Sequence, residues 1–415
     1  MNRLVLIGNG FDLAHGLKTS YADFINWYKE YRIKDILDNQ HSNIAKDELC
    51  TLKLNRQEAW SIHMTNLLHN NIGAEYKDVF DYISKYDGDY EPMLTKFFHS
   101  ICTSIETKGW VDIENEYYEL LKQYAFPSQV SMQSAEQSIR SLNRQLDYFK
   151  KMLCQYLQEV VQNEVPKIPS IDEAIYAPIK EEDVAIGSRK CVKEHKSYWE
   201  FHEERNNELY AIVRKYGYDE IQCEGDVRCW REDQPNGTTI YPFEFLLPKE
   251  IMLLNFNYTN TASQYRKIRD SFEEVHIHGV ISNPESIIFG YGDELDDKFK
   301  ELKSHKNNAC LSHIKSIRYL EAPNYRQMLS FIESEPFQVL IMGHSCGNSD
   351  RTLLNTIFEH PNCVSIKPYY YVTDKEKGTD NYTELVQHIS RNFNDMKLMR
   401  DRVVNKTQCQ PLIHD

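Results

Sequence analysis

Leu4-Val5-Leu6-Ile7-Gly8-Asn9-Gly10-Phe11-Asp12 is the stretch on which the fold turns. Four consecutive apolar residues stopped by glycine suit a strand buried on both faces, as in a parallel sheet. The apolar run is short and leads straight into a turn, so it reads as a strand and not as a secretory leader. Beyond the turn, Thr19 or Ser20 caps a helix, with Asp23 three residues after Ser20 and Tyr21, Phe24, Tyr28 and Tyr31 on one face.

A buried parallel strand needs partners, and none is evident before residue 250. Residues 25–245 are mostly helical in pattern, with helices expected at 57–70, 75–86, 92–105, 112–124 and 195–216. Ala135, Ile139, Leu142, Leu146, Phe149, Leu153, Leu157 and Val160 make one long amphipathic helix, and residues 110–186 contain no glycine. Residues 164–190 and 222–240 read as loops. After 248 the texture changes to short apolar runs at 250–256, 275–279, 286–289, 339–342 and 364–372, separated by helical segments. The expected architecture is therefore α/β, with a Rossmann-like parallel sheet core split by a large, mainly α-helical insertion. The core takes residues 1–25 and 248–400, the insertion 26–247, and a C-terminal tail 401–415.

Of 415 residues, 41% are hydrophobic and 12% aromatic, which excludes a disordered or low-complexity chain. A net charge of −14 without a long basic run argues against nucleic acid as partner. No apolar run approaches the roughly 18 residues that cross a bilayer, so no membrane association is expected. The ten cysteines include no CxxC pair, which fits reduced thiols in a cytoplasmic protein.

Four motifs carry the candidate chemistry. Gly8-Asn9-Gly10-Phe11-Asp12, after a strand and before a helix, suits a phosphate cradle in which backbone amides donate to the anion; a plain tight turn is the alternative. Asn255-Phe256-Asn257-Tyr258-Thr259 stands at the end of a strand, where ligands of open α/β sheets bind. An Asn there can hold a ribose hydroxyl or a water, or simply close the strand with an Asx-turn. His276-Ile277-His278-Gly279 puts two imidazoles on one strand face, as a base and its neighbour, as packed histidines, or as two metal ligands. Gly343-His344-Ser345-Cys346-Gly347 fits the GxSxG pattern between a strand and the helix 351–358. Ser345 would then be a nucleophile with Asp374 or Asp380 and His388 or His414. The other reading is a glycine-bounded loop that binds a ribose or adenine, with Asp350 adding a polar group. The acids of Trp110-Val111-Asp112-Ile113-Glu114-Asn115-Glu116 read mainly as first-turn helix acids.

Taken in order, the strings LVLIGNGFDLAHGLKTSYADF at 4–24, WVDIENEYYELL at 110–121, LLNFNYTNT at 253–261, HIHG at 276–279, IIFGYG at 287–292 and IMGHSCGNSD at 341–350 resemble the bacteriophage abortive-infection AbiH family. The resemblance implies a role in phage defence. The same motifs also look like a divergent sirtuin-type NAD-binding core. That likeness implies a glycine turn and following segment (Gly8, Asn9, Gly10, Phe11, Asp12, Thr19, Ser20) against the cofactor, and a ribose-contacting Asn at Asn257 flanked by Asn255, Tyr258 and Thr259. It further implies a base at His278, directly before Gly279, and a ribose turn at Gly343, His344 and Ser345, with Asp350 nearby. Asn255 and Thr259 depart from the sirtuin T-x-N-x-D string, and the sirtuin four-cysteine zinc module has no counterpart, so no metal is expected. NAD hydrolysis is then the implied activity, with NAD or a related nucleotide as substrate or ligand. Non-catalytic nucleotide sensing is the main alternative, and Ser345 hydrolysis or a metal-dependent reaction at His276 and His278 are further ones. The insertion is expected to mediate self-assembly or to contact a regulatory protein partner.

Overall fold

A computed structural model describes residues 1–38, 44–53, 77, 80, 93–108, 111–127, 132–161, 165–177, 179–189, 248–266, 272–305 and 307–414. The helices expected at 57–70 and 195–216 and the loop at 222–240 lie outside these residues, as does nearly all of 75–86. The chain forms two compact units, one of Met1–Leu17, Gln162–Ile288 and Ser316–Asp415, the other of Lys18–Val161 and Phe289–Lys315.

The first unit is α/β. Its five strands, numbered along the chain, are β1 (Asn2–Ile7), β2 (Ile251–Asn255), β3 (Phe272–His276), β4 (Phe337–Met342) and β5 (Cys363–Tyr369). They pair in the order β3-β2-β1-β4-β5, every pair parallel. The distant strands around 251 and 337 are thus the partners that Leu4–Ile7 requires. Register aligns the strand ends: Ile7 stands beside Asn255 and Met342, Asn255 beside His276, and Met342 beside Tyr369. Residues that follow these five therefore share one edge. The order grows outward from β1 to β3, then returns to the other side of β1, so the direction reverses between β1 and β4.

Alternation explains the continuous apolar runs, because both sheet faces are covered. Leu4, Leu6, Met252, Leu254, Val339 and Ile341 pack with Met328, Ile332, Leu353, Ile357, Leu385 and Ile389 from the helices Asn324–Ser334, Arg351–Phe358 and Tyr382–Arg391. Val5, Ile7, Leu253, Leu340 and Met342 pack with Phe11, Ile171, Ile175, Ala262 and Tyr265 on the opposite face.

Three local expectations are corrected. Residues 164–190 are not all loop: Pro169–Tyr176 is a helix with proline in its first turn, where no backbone donor is needed. The carbonyls of Ile175 and of Ala177, the residue after the helix, accept from the buried Arg3 guanidinium, which also donates to Gln338. Residues 286–289 are not a strand: Pro284–Ser286 is a tight helical turn, and the Ile288 amide donates to the His278 carbonyl. The third strand ends at His276, and Gly279, at φ +82°, turns the chain away.

The second unit is mainly helical, with helices Tyr21–Asp38, Lys96–Lys108, Ile113–Ala125 and Met132–Val160 and a hairpin of Ile44–Lys46 and Thr51–Lys53. Its core is aromatic: Phe149 meets Phe24 edge-on at 5.0 Å, and Tyr28 meets Phe98 edge-on at 5.1 Å. The acids of 112–116 have structural partners. Asp112 caps its helix, Glu116 accepts from Ser104, and buried Glu114 accepts from Lys315 at 2.7 Å and from the Gly290 amide at 2.8 Å. Trp110 lies outside the described residues.

Candidate functional site

The turn after β1 comes first. Gly8 donates its amide to Met342 O at 3.1 Å, Gly10 to Gly343 O at 2.8 Å, and Phe11 to Gly8 O at 2.9 Å. Those amides are therefore occupied within the protein. Glycine is required here because two backbones touch. A β-carbon on Gly8 would overlap the Cα of His344, and one on Gly343, at φ +73°, would overlap the Phe11 nitrogen. Phe11 is a buried core side chain, and Asn9 is exposed.

Thr19 and Ser20 belong to the helical unit. Ser20 forms the expected cap, accepting from the Asp23 amide at 3.1 Å while its hydroxyl donates to the Asp23 carboxylate.

Asp12, from the short helix after Gly8, is 1% exposed. Its Oδ2 accepts from Thr259 Oγ1 at 2.6 Å, and Thr259 in turn accepts from Thr261 at 3.3 Å. Oδ1 is buried with no hydrogen-bond partner among the described residues. Burial raises the carboxyl above the usual aspartate range, against the opposing pull of Thr259, Thr261, Asn257 and His276.

The strand-end motif is a bonded turn. Asn255 Oδ1 accepts from the Asn257 amide at 2.9 Å, an Asx-turn, and Asn255 Nδ2 donates to Thr259 O and to Glu274 Oε1. Asn257 Nδ2 donates to Gly8 O at 3.0 Å, tying the ends of β1 and β2 together. Tyr258 is half-buried, and its carbonyl accepts from the Ile281 amide. Asn255, Asn257, Thr259 and Asp12 thus meet at one edge, as their strand-end positions imply.

His276 and His278 diverge. His276 lies between Asn257 O at 3.2 Å and Glu274 Oε1 at 3.2 Å. His278, in the turn beyond β3, has Nε2 at 3.3 Å from Asp350 Oδ1 and 3.2 Å from Tyr319 Oη. The expectation of two imidazoles on one strand face is corrected, because the strand stops between them. Glu274 is held below the usual carboxylate range: burial pushes it up, but His276, Ser263 and Asn255 outweigh that.

A second imidazole reaches the same carboxylate as His278. His344 Nε2 lies 3.6 Å from Asp350 Oδ2, and its Nδ1 accepts from the Cys346 amide at 3.0 Å. Phe256 packs against both rings, at centroid distances of 5.3 Å to His278 and 4.1 Å to His344. His278, His344 and Asp350 are all buried. The sequence placed His344 and Asp350 on a ribose loop; the approach of Asp350 to His278 depends on register across four strands and had no signal in spacing.

Ser345 is exposed, and His388 Nδ1 meets its carbonyl at 2.9 Å and not its hydroxyl. Asp380 pairs with Lys406, Asp374 binds its own turn and Lys377, and His414 Nδ1 meets Pro411 O. The backbone strain falls on Cys346, at φ 55°, one residue after the serine. These groups do not assemble a triad around the Ser345 hydroxyl.

The family model for Bacteriophage abortive infection AbiH matches residues 4–63 and 67–371. The chain belongs to the AbiH family. That family points to a role in abortive infection during phage defence. No curated protein and no solved structure matched the chain, so neither comparison adds support to the sirtuin likeness. Among the described residues of this AbiH chain, no helix is long and apolar enough to cross a membrane.

Proposed function

We propose that the α/β unit is a Rossmann-like nucleotide-binding core that takes NAD and hydrolyses it to ADP-ribose and nicotinamide during abortive infection. The strand order β3-β2-β1-β4-β5 supports a dinucleotide, because doubly wound sheets of this order bind such ligands at the carboxyl edge where the order reverses. The observation that carries the reading is the buried pairing of His278 with Asp350 on that edge.

In the proposed reaction, the bond between the ribose anomeric carbon and the pyridinium nitrogen breaks, and its electron pair stays with nicotinamide. Water adds to the anomeric carbon. His278 takes the proton that water releases, and the Asn257 carboxamide oxygen orients the water or a ribose hydroxyl. Asp12, through the oxygen that lacks a donor, accepts from a sugar hydroxyl. Gly343, His344 and Ser345 border the ribose, and their backbone, not the amides of Gly8 and Gly10, lines the ligand side of the turn. The protein acts in the cytoplasm, and the helical unit restrains it through self-association or a regulatory partner.

Nicotinamide release from NAD by the purified full chain, alone and with phage components, tests the reading. His278→Ala and Asn257→Ala are each expected to lose about a hundredfold in turnover. Variants that match wild type in an active preparation would remove both assignments.

One observation favours a second reading, a non-catalytic nucleotide sensor: Asn255 and Thr259, the two departures from the sirtuin string, spend their side chains on Glu274, the Asn257 amide and Asp12. NAD or ADP-ribose binding without turnover under every activating condition would select it.

A further inference from the structure

We propose that Asp350 is a positioning residue for His278: it holds the ring with its proton on Nε2 and, with His344 on its second oxygen, steadies the imidazolium formed when the ring takes up a proton. The kinetic part rests on the glycosidic-hydrolysis reading; the tautomer part does not.

Three observations carry it. The first is that Asp350 stands at the N-cap of the helix Arg351–Phe358, where aspartate normally accepts a first-turn amide, yet its side chain makes no cap bond. The carboxylate turns instead to His278, 3.3 Å from Oδ1, and to His344, 3.6 Å from Oδ2. A side chain that forgoes its local bond for a tertiary one marks a site where function overrides local preference.

The second is that the His344 tautomer is fixed from outside. Its Nδ1 accepts from the Cys346 amide, so the neutral ring carries its proton on Nε2, the nitrogen that faces Asp350. The two Nε2 atoms thus face one carboxylate, one at each oxygen. Tyr319 Oη also faces His278 Nε2, and Phe256 packs against both rings.

The third is that the loop carrying His344 is held in a strained conformation. Cys346 takes a left-handed conformation at φ 55°, uncommon for a residue with a side chain. It is kept there by its amide bond to His344 and by Asn392, which is fully buried and donates Nδ2 to Cys346 O at 2.9 Å.

With the proton held on Nε2, the lone pair of neutral His278 lies on Nδ1, and the proton taken from water goes there. The charge then shared by the ring is balanced by Asp350 without a proton leaving Nε2.

The test compares wild type with Asp350→Asn and Asp350→Ser, the latter able to cap the helix should the former fold poorly. Imidazole 15N spectra should show a single Nε2–H form of His278 in wild type and a mixed or reversed tautomer in both variants. An unchanged tautomer in both overturns the proposal. Turnover of NAD should fall about a hundredfold with KM within about twofold of wild type. A raised KM with unchanged kcat would make Asp350 a ligand contact and overturn it too. If wild type turns over no NAD, the hydrolysis reading fails while the 15N spectra still decide the role of Asp350.

Discussion

Gly8 lies directly against His344, so that any β-carbon at position 8 would overlap the His344 Cα. The contact joins the ends of β1 and β4, where the sheet order reverses. Gly8→Ala and Gly343→Ala should each destabilise the fold by about 1–3 kcal/mol, because backbone must move. Gly16→Ala is the control: its φ of +77° strains an alanine, but nothing lies within 4 Å. It should cost only about 1 kcal/mol. Thermal melts of the three variants check the order, and Gly16→Ala proving the worst would refute the contact argument.

Much of this was legible in the sequence because it is local. Runs such as Leu4–Ile7 and Ile251–Leu254 announce two-sided burial, and Gly8 and Gly279 mark where strands stop. The Ser20 cap and the long helix Met132–Val160 follow from spacing alone. What was not legible depends on strand order. Glycine spacing cannot distinguish an anion cradle from a backbone crossing, since both need the missing side chain. Nor can the sequence say that Asp350 faces His278, because the helix position of Asp350 predicts a cap. His276 and His278 looked equivalent by alternation, and only the stop at His276 separates them.

Asp12 should make stability fall as pH rises. Burial raises its folded-state value, so the folded chain keeps the proton to a higher pH than the unfolded chain. This contribution is complete below the unfolded value and is lost as pH climbs through the folded one. Asp12→Asn has no proton to lose. Its melting temperature relative to wild type should therefore increase from about pH 4 to about pH 8. A constant or shrinking difference would mean that Asp12 is ionised in the native state across that range.

Glu274 should show the opposite slope. Its folded-state value is depressed: burial raises it, but bonds from His276, Ser263 and Asn255 more than compensate. That stability is present above the unfolded carboxylate range and disappears as pH falls through the folded value. Glu274→Gln should thus be most destabilising near neutrality and approach wild type in acid, as paired melts across pH would record. Equal destabilisation at all pH values would assign the residue a packing role only.

Asn255→Ala removes the acceptor for the Asn257 amide and the donor to Thr259 O and Glu274 in one step. Leaving those buried groups unmatched should cost about 2 kcal/mol. Asn255→Asp keeps the acceptor but brings a second carboxylate to Glu274, so its cost should exceed that of Asn255→Ser and diminish in acid. Melts of these variants separate turn formation from charge, and a harmless aspartate would show that Glu274 does not sense position 255.

Ser345→Ala should leave any NAD turnover within about twofold of wild type, and a fluorophosphonate probe should leave Ser345 unlabelled. The reason is directional. A serine nucleophile needs an imidazole on its hydroxyl, whereas His388 bonds the Ser345 carbonyl, and the strained backbone belongs to Cys346. The acids Asp374 and Asp380 pair with Lys377 and Lys406. His388→Ala, by contrast, frees one carbonyl in the loop that carries His344, so it should lower turnover more than Ser345→Ala does. Labelling of Ser345, or turnover lost with Ser345→Ala and kept with His388→Ala, would move the chemistry from the imidazole pair to the serine.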